Sequence, residues 1–377
     1  MKKIIFSIFL FLIFFNNNIY ANNSTYLDIK IGKTYSPNKE ISITSKGNIK
    51  VYNADLGLIV DLNSKNITVS LVNNKVIIKT NNNVAISEFL QDGSMLLGSD
   101  DFLKLNNEYR GYLYFKNIDS KLNVINHVEL EDYLKGVIPK EILSKSPIEA
   151  LKSQAICSRS FAIRNINKYI KKGYNLDDTQ NSQVYGGKSA ETKFTNEAVE
   201  LTKSMILSYN GEVANAIFGA SSGGKTANAS EVWGGKNVDY LRVIDDPYST
   251  DYTWKLTISK GDISKNFASS GINLGDIYLI RVKEYDSSGR VSKIDVVGTN
   301  GSKEITGNKF RSIVGTMKLK STLFTFVDNG SSFEFQGSGF GHGVGMSQDG
   351  AVVMAKQGFS CEDILKFYFP GVEICQN

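Results

Sequence analysis

The chain has 377 residues, of which 41% are hydrophobic and 21% are charged, and this composition is typical of a soluble globular protein. Its length is sufficient for one large domain or for two ordinary domains with hydrophobic cores. The formal net charge is only +5 and Lys and Arg form no long block, which argues against a nucleic-acid-binding protein.

The N-terminus has the pattern of an export signal. Two lysines precede an apolar run from Ile4 to Phe15, and Ala21 ends an acceptable cleavage site. The apolar run is short for a membrane-spanning helix. We therefore expect residues 1–21 to be a signal peptide or an N-terminal anchor, and the protein to be exported and extracytoplasmic.

Residues 22–107 are predicted to be rich in β-strands. Short runs of β-branched and aromatic residues alternate there with turns of Asn, Gly and Lys. We find no acid–base constellation in this region, so we expect it to act as a scaffold or a contact surface. The predicted strands are YLDIKIG, ISITS, NIKVYN, ITVSLV and KVIIKT.

Residues 108–377 mix helical and strand patterns, so the predicted fold class is α+β: a β-rich N-terminal segment followed by a mixed α+β domain with a substrate cleft. The apolar stripe Leu130, Leu134 and Val137 predicts a short first helix, which Pro139 should end. Glu141 follows directly and is expected outside regular helix, in a break before the next helix.

A second helix is predicted to begin with Ser146 as N-cap, Pro147 at the first position and Glu149 at the third. Lys152 and Arg159 lie seven residues apart on it, so their side chains are roughly in line. Arg159 falls within the apolar stripe, where an unpaired charge is costly. An internal Arg–Glu salt bridge would satisfy it, as would an anion-binding cleft, and Lys152 could simply extend to water. The stripe consists of Ile148, Leu151, Ala155, Ala162, Ile163 and Ile166.

A first glycine-rich segment, residues 219–226, satisfies the P-loop pattern letter for letter. The helix that should follow is poor, because Gly234 and Gly235 end it within three turns, so we do not expect nucleotide binding. Two interpretations are open for Ser221 and Ser222. They face a cleft, where they could hydrogen-bond a ligand, or they point outward from a tight glycine turn.

The C-terminal third contains three further patterns. Tyr278 to Thr299 reads as a hairpin with its turn at residues 286–289. In the second glycine-rich segment, residues 337–348, the glycines permit the backbone to approach a ligand or a neighbouring strand closely. Its His342 either has a structural role or titrates near neutrality. Cys361 to Tyr368 is predicted to be a short helix.

Cysteine and histidine usage indicates neither a cofactor nor a metal site. The three Cys and two His are too widely scattered for a zinc site. Cys157 lies among the packed residues of the second helix and is expected in the core. Cys361 and Cys375 could form a disulfide.

Five sequence blocks, in one order, resemble the SpoIID/LytB family of sporulation and cell-wall proteins, and together they span roughly Glu108 to the C-terminus. We therefore expect residues 108–377 to form a SpoIID-like catalytic domain. The blocks are LEDYLKGVIPKEI, EALKSQAICSRSFAI, DDTQNSQVYGG, FGASSGGKT with EVWGG, and GFGHGVGMSQDGA with MAKQG.

The resemblance implies a peptidoglycan lytic transglycosylase, a lyase that cleaves MurNAc–GlcNAc glycan strands without stem peptides to 1,6-anhydro products, in sporulation or cell-wall remodelling. The alternative that the resemblance implies is a non-catalytic, wall-binding enhancer of an N-acetylmuramoyl-L-alanine amidase. For either function the resemblance implies a location in the cell wall or at a membrane anchor. Glu141 would be the single catalytic acid, with Lys152 and Arg159 beside it. The implied substrate-binding residues are Lys152, Arg159, Gln183, Tyr185, Ser221, Ser222, His342, Ser347 and Gln348.

Overall fold

The computed structural model describes residues 25–80, 85–87 and 93–377. The proposed signal peptide or anchor, residues 1–21, lies outside these described residues. Within them, no helix combines the length and the apolar character needed to cross a membrane.

The fold is α+β, as predicted, with both strands and helices along the described chain. The helices are α1 (Leu130–Glu141), α2 (Ile148–Arg164), α3 (Lys193–Leu201), α4 (Ala229–Trp233), α5 (Lys260–Ser269), α6 (Gly307–Val314), α7 (Gln348–Lys356) and α8 (Cys361–Tyr368). The strands are β1 (Tyr26–Tyr35), β2 (Ile41–Thr44), β3 (Ile49–Tyr52), β4 (Leu58–Asp61), β5 (Asn66–Val72), β6 (Lys75–Thr80), β7 (Ala85–Ser87), β8 (Met95–Ser99), β9 (Leu103–Lys104), β10 (Glu108–Tyr109), β11 (Tyr112–Ile118), β12 (Lys121–Glu129), β13 (Leu176–Asp177), β14 (Met205–Tyr209), β15 (Glu212–Val213), β16 (Phe218–Gly219), β17 (Thr253–Ser259), β18 (Ile277–Tyr285), β19 (Val291–Gly298), β20 (Gly301–Thr306), β21 (Phe324–Asp328), β22 (Ser332–Ser338), β23 (Met346–Ser347) and β24 (Glu373–Gln376).

The N-terminal region forms strands where the alternating pattern predicts them, and all five predicted runs are confirmed as β1, β2, β3, β5 and β6. One sheet has the order β13-β1-β12-β11-β8-β3-β4, and a second has the order β10-β9-β2-β5-β6-β7. β1 pairs antiparallel with β12, with Tyr26 opposite Glu129. The first sheet therefore contains strands from both sides of the boundary proposed at residue 107.

Two hydrophobic cores hold the described chain together. The larger contains the buried residues of the N-terminal sheets, α1, α2, α7 and α8. The smaller is built from β17 to β22 with α5 and α6, and its centre includes Phe267, Phe310 and Phe335. α2 runs through the larger core with Leu151, Ala155 and Ala162 buried as predicted, whereas Ile148 is 38% exposed at its first turn.

The break predicted after the first helix lies further along the chain than expected. Pro139 is inside α1, and Glu141 is its last residue, so the expectation that Pro139 ends the helix was wrong. The helix tolerates Pro139 because the residue is in the last turn, where its missing N–H removes only one hydrogen bond. The Ile142 N–H still donates to the Ile138 carbonyl at 3.1 Å. The next helix also begins one residue later than predicted, with Pro147 as N-cap in an extended conformation and without a side-chain cap.

The C-terminal patterns are confirmed. β18 and β19 form the expected antiparallel hairpin, closed by a hydrogen bond from the Asp286 N–H to the Arg290 carbonyl at 2.8 Å. α8 has the predicted bounds and begins with a capping box of Ser360 and Asp363. Cys157 is buried in the core as expected, and Cys361 and Cys375 are unpaired thiols, not a disulfide.

Candidate functional site

A cavity of about 510 Å³ opens at the end of α1. Glu141 contributes its carboxyl group, and His342 reaches the cavity from the second glycine-rich segment. Of the ten predicted site residues, these two are the ones that the cavity brings together. The other lining residues, all in the described part of the chain, are Phe161, Asn165, Lys168, Gln180, Asn181, Ser182, Ile217, Phe218 and Trp233.

The Glu141 carboxyl group is fixed in place and partly withdrawn from water. Val137 and Ile138, in the same turn of α1, are completely buried and anchor the end of the helix. The Val184 N–H donates to Oε1 of Glu141 at 2.9 Å. Burial raises the pKa of Glu141 above its usual value, and the Val184 hydrogen bond opposes this in part. The group is therefore suited to hold a proton and to release it into the cavity.

The rest of the lining combines aromatic faces with short polar groups. Trp233 closes α4 and is 53% exposed, and its ring lies edge-on to the His342 ring with 5.0 Å between centroids. Aromatic rings next to hydroxyl and amide groups form a surface that suits a sugar, which has an apolar face and a polar edge. The lining thus combines apolar faces and hydrogen-bonding groups beside a carboxylic acid.

His342 lies in the cavity wall as a neutral imidazole. Its Nδ1 accepts a hydrogen bond from the Val344 N–H at 3.0 Å, so the other ring nitrogen carries the hydrogen and donates to the Phe218 carbonyl. Burial, together with the positive charges of Arg311 and Arg290, lowers the pKa of His342 to about 4. Of the two interpretations open from the sequence, the structural one fits, because both ring nitrogens hold backbone groups.

Arg159 does not lie beside Glu141, and the expectation of a neighbouring charge on the acid was wrong for this residue. Its side chain is completely buried, and its Nε and Nη2 donate to the two carboxylate oxygens of Glu131 at 2.8 and 2.6 Å. Its Nη1 donates to the Met205 carbonyl at 2.9 Å. An internal Arg–Glu salt bridge was one of the possibilities for Arg159 in the sequence, and it is the one observed. It forms because α1 and α2 bring Glu131 opposite Arg159.

Lys152 also lies away from Glu141, so a role beside the acid was not correct for this residue either. Its ammonium group pairs with Glu149 at 2.9 Å, and both residues line a separate cavity of about 690 Å³ near Cys361 and Lys366. Glu149 also accepts the Cys361 N–H at 2.7 Å, so it connects the first turns of α2 and α8.

The remaining predicted binding residues belong to buried hydrogen-bond networks. Tyr185 donates to Asn126 at 2.8 Å, and Gln183 accepts from Tyr133 at 3.2 Å. Gln348 donates to Gln154 at 3.0 Å. These side chains are almost inaccessible to solvent, so the structure places them behind the cavity wall and not in contact with a ligand.

The serines of both glycine-rich segments form a second buried network. Ser222 donates to Asp246 at 2.7 Å, and both Ser221 and Ser347 contact the hydroxyl of Ser249, at 2.9 and 2.8 Å. Neither the cleft-facing nor the outward interpretation of Ser221 and Ser222 is correct, since both are at most 3% exposed. The network joins the two segments to each other.

The P-loop pattern has no phosphate-binding geometry. The helix after it, α4, has only five residues, and Lys225 points to Asp245 at 3.2 Å. Thr226 is buried and donates to the Arg242 carbonyl at 2.9 Å. The glycines serve close packing instead: Gly223 has a positive φ of 69°, and a Cβ there would overlap the backbone of Gly339.

Several lining residues were missed although they lie inside the blocks singled out from the sequence. Gln180, Asn181 and Ser182 directly precede Gln183, and Trp233 is in EVWGG. In a loop no fixed period tells which side chains face a cavity, so the wrong members of the block were chosen. For Trp233 the available signal was its position in the family-like block EVWGG.

Two family models match parts of the chain. Residues 118–209 match the family described as stage II sporulation protein, and residues 243–345 match a domain of unknown function. The first match includes α1, α2 and Glu141, and the second includes the smaller core and His342.

Three curated relatives are similar to the chain. An uncharacterised protein of Brachyspira hyodysenteriae is 32% identical over 364 residues, which is 95% of each chain. The amidase enhancer of Bacillus subtilis is 32% identical over 289 residues, and the match covers 64% of this chain and 40% of the enhancer. Stage II sporulation protein D of Bacillus subtilis is 33% identical over 270 residues, covering 67% of this chain and 76% of that protein. The chain therefore belongs to the stage II sporulation protein D family.

Proposed function

We propose that the protein is a lytic transglycosylase that cleaves the MurNAc–GlcNAc bond of peptidoglycan strands without consuming water. The observation that carries the proposal is a single carboxylic acid with a raised pKa in a cavity lined by aromatic and amide side chains. Among the described residues that line the cavity, Glu141 is the only carboxylate. Ordinary glycosidases place two carboxylates about the scissile bond, whereas transglycosylation can use one.

In the first step the proton on Glu141 moves to the glycosidic oxygen as the C1–O bond of the muramic residue breaks. Oε1 of Glu141 accepts the Val184 N–H, which leaves Oε2 as the oxygen best placed to hold this proton. Burial favours the neutral acid before the step, and the Val184 hydrogen bond stabilises the carboxylate that the step produces.

In the second step the Glu141 carboxylate takes the proton from the 6-hydroxyl of the same muramic residue, and O6 forms a bond to C1. The products are a 1,6-anhydro sugar and a free 4-hydroxyl on the leaving strand, and Glu141 is protonated again. The acid thus ends the cycle in the state in which it began, so no second carboxylate and no water molecule are required.

The relatives support an extracytoplasmic role in sporulation or cell-wall remodelling, because two of them carry the names stage II sporulation protein D and amidase enhancer. We accordingly place the protein outside the cytoplasm, in the cell wall or at a membrane anchor. Its substrate would be glycan strands from which the stem peptides have been removed. The direct test is mass spectrometry of the products from such strands, in which 1,6-anhydro ends are expected and reducing ends would contradict the proposal.

A second candidate is a non-catalytic enhancer of an N-acetylmuramoyl-L-alanine amidase, which the name of one relative favours. In that case the purified protein would release no anhydro product from any glycan, yet it would accelerate hydrolysis by the amidase. Measuring both reactions with the same preparation separates the two functions. The same pair of measurements with a Glu141→Gln variant shows whether enhancement depends on the acid.

The pH profile is expected to follow the ionisation of Glu141. The proton donor is the neutral acid, and the pKa of Glu141 is raised above 4.5. The value of kcat/KM should therefore decrease as the pH rises through this raised pKa, while His342, with a pKa of about 4, stays neutral over the same range. Rates on peptide-free strands between about pH 5 and 8 test this, and a kcat/KM that rises throughout would contradict it.

Replacing Trp233 by alanine is expected to weaken substrate binding without unfolding the protein. The side chain is 53% exposed, so its removal leaves no closed cavity in the core, but it deletes an aromatic face from the lining. We expect KM for the glycan to rise about tenfold with little change in thermal stability, because a stacked aromatic contributes about 1 kcal/mol or more. The variant Trp233→Phe should retain most of the affinity, and an unchanged KM in both variants would place the glycan elsewhere.

A further inference from the structure

The turn after α2 carries several cations next to the cavity. Lys168, Lys171 and Lys172 are all exposed, and Lys168 itself lines the cavity that contains Glu141. Among the ion pairs of the described residues none involves these three lysines, whereas Arg164, at the end of α2, is 3.5 Å from Glu212. Within the described part of the chain, the lysines at this edge of the cavity therefore have no ion-pair partner.

The position of Lys168 is set by uncharged groups. Its ammonium donates to the Asn181 carbonyl, which also belongs to the cavity lining. Lys168 and Lys172 both lie against the Tyr169 ring, with their nitrogens 5.3 and 5.2 Å from its centroid. The ammonium groups of Lys168 and Lys172 repel each other because they carry like charges and lie against one ring. An anion bound between them would offset this repulsion.

An acid beside Tyr169 forms no ion pair with these lysines. Asp177 accepts hydrogen bonds from the N–H and the hydroxyl of Thr179, at 3.1 and 2.7 Å, and it interacts with Tyr169. Its carboxylate is held within its own loop, and among the described residues no ion pair joins it to Lys168, Lys171 or Lys172.

Lys168 is also far enough from the acid to leave its chemistry intact. The pKa of Glu141 is governed by burial and by the Val184 N–H, without a contribution from a cation. A lysine close to the carboxyl would favour its ionised form and remove the proton donor. In this arrangement one cavity is lined both by a carboxylic acid with a raised pKa and by a lysine that does not perturb it, so the lysine is available to contact a ligand.

We propose that Lys168, supported by Lys172, is a specificity residue that binds a free carboxylate on the sugar next to the scissile bond. The proposal rests on the proposed function and deepens it. A muramic residue without its peptide ends its lactyl substituent in a carboxylate, whereas attachment of the peptide converts that group into a neutral amide. The cationic edge thus gives a physical reason for preferring peptide-free strands: it recognises a charge that the stem peptide removes.

The test is equilibrium binding with the Glu141→Gln full-length chain, which separates recognition from cleavage. The ligands are one peptide-free oligosaccharide with free lactyl carboxylates and the same oligosaccharide with those groups converted to methyl amides. We expect the carboxylate form to bind about tenfold more tightly, and the preference to decrease at high salt because the lysines are exposed. Adding Lys168→Gln should reduce the preference to about twofold, and Lys168→Gln with Lys172→Gln should abolish it.

The matched control is Lys309→Gln, at another exposed lysine outside the cavity lining, which should keep the full preference. Equal binding of the two ligands by the parent chain, absence of binding to both, or an undiminished preference in the double lysine variant would each overturn the proposal. If the protein prefers the carboxylate ligand but the wild type releases no anhydro sugar, the proposed lyase activity is refuted. Lys168 then remains the carboxylate-binding residue.

Discussion

Glu141→Gln is expected to lower the rate of anhydro-sugar release by at least about 10²-fold, because it removes the only carboxylic acid among the described residues that line the cavity. Glutamine has nearly the same shape, and its carbonyl oxygen can still accept the Val184 N–H. The loss should therefore appear in kcat, with KM for peptide-free strands nearly unchanged. Single-turnover measurement of anhydro products by mass spectrometry gives this rate directly.

The same substitution should not reduce stability, which distinguishes a catalytic role from a structural one. Burial raises the pKa of Glu141, so ionisation of this group opposes folding. Its contribution to stability is fully present below the pKa of the unfolded chain and is lost as the pH rises through the higher pKa of the folded state. At pH 7 the glutamine variant should therefore melt at the same temperature as the wild type or above it.

The control for this experiment is Glu197→Gln, at an exposed glutamate on α3, which should leave both the rate and the melting temperature unchanged. A Glu141→Gln protein with full activity would exclude Glu141 as the acid. Loss of activity accompanied by a large fall in melting temperature would instead assign Glu141 a structural role.

The second large effect is expected at the buried ion pair. Arg159→Met should decrease the free energy of unfolding by about 3–5 kcal/mol, because it leaves the Glu131 carboxylate, whose side chain is 13% exposed, without its charged partner. It also removes the donor to the Met205 carbonyl. Urea denaturation of the two proteins at pH 7 measures the difference.

Two further variants make this result specific. Arg164→Met, on the same helix, removes an arginine that is 49% exposed and 3.5 Å from Glu212, and it should change stability by less than about 0.5 kcal/mol. Combining Arg159→Met with Glu131→Gln should restore part of the loss, since no charge is then left unpaired. If Arg159→Met were as stable as Arg164→Met but had lost glycan binding, the arginine would have to contact substrate after all.

Periodic patterns were sufficient to predict several strands of the N-terminal sheets and one helix beside the cavity. Strand alternation gave β1, β2, β3, β5 and β6, and the helical stripe gave α2 with Arg159 on its buried side. The pattern also showed that Arg159 needs a partner. It could not show which one, because Glu131 is 28 residues away in sequence and reaches the arginine only when α1 packs against α2.

The cavity lining could not be predicted in the same way. Its polar members, such as Gln180 and Ser182, come from loops, where neighbouring side chains have no regular orientation. Gln183 and Tyr185 belong to the same sequence block, yet they point into the core, where Tyr133 and Asn126 bind them. Several cavity-lining residues thus lie within the sequence blocks, but the packing of loops against helices decides which of their side chains reach the cavity.

The pairing of β1 with β12 has a consequence for the order of folding during synthesis. β1 is among the first described segments to emerge, but its antiparallel partner, β12, begins only at residue 121. Until then β1 has an unpaired edge, and closing a loop of this length slows folding. The newly made chain must therefore stay unfolded or be protected until β12 is available. A truncated chain that begins at residue 108 would expose the β12 edge that β1 normally covers, directly before the helix that ends in Glu141.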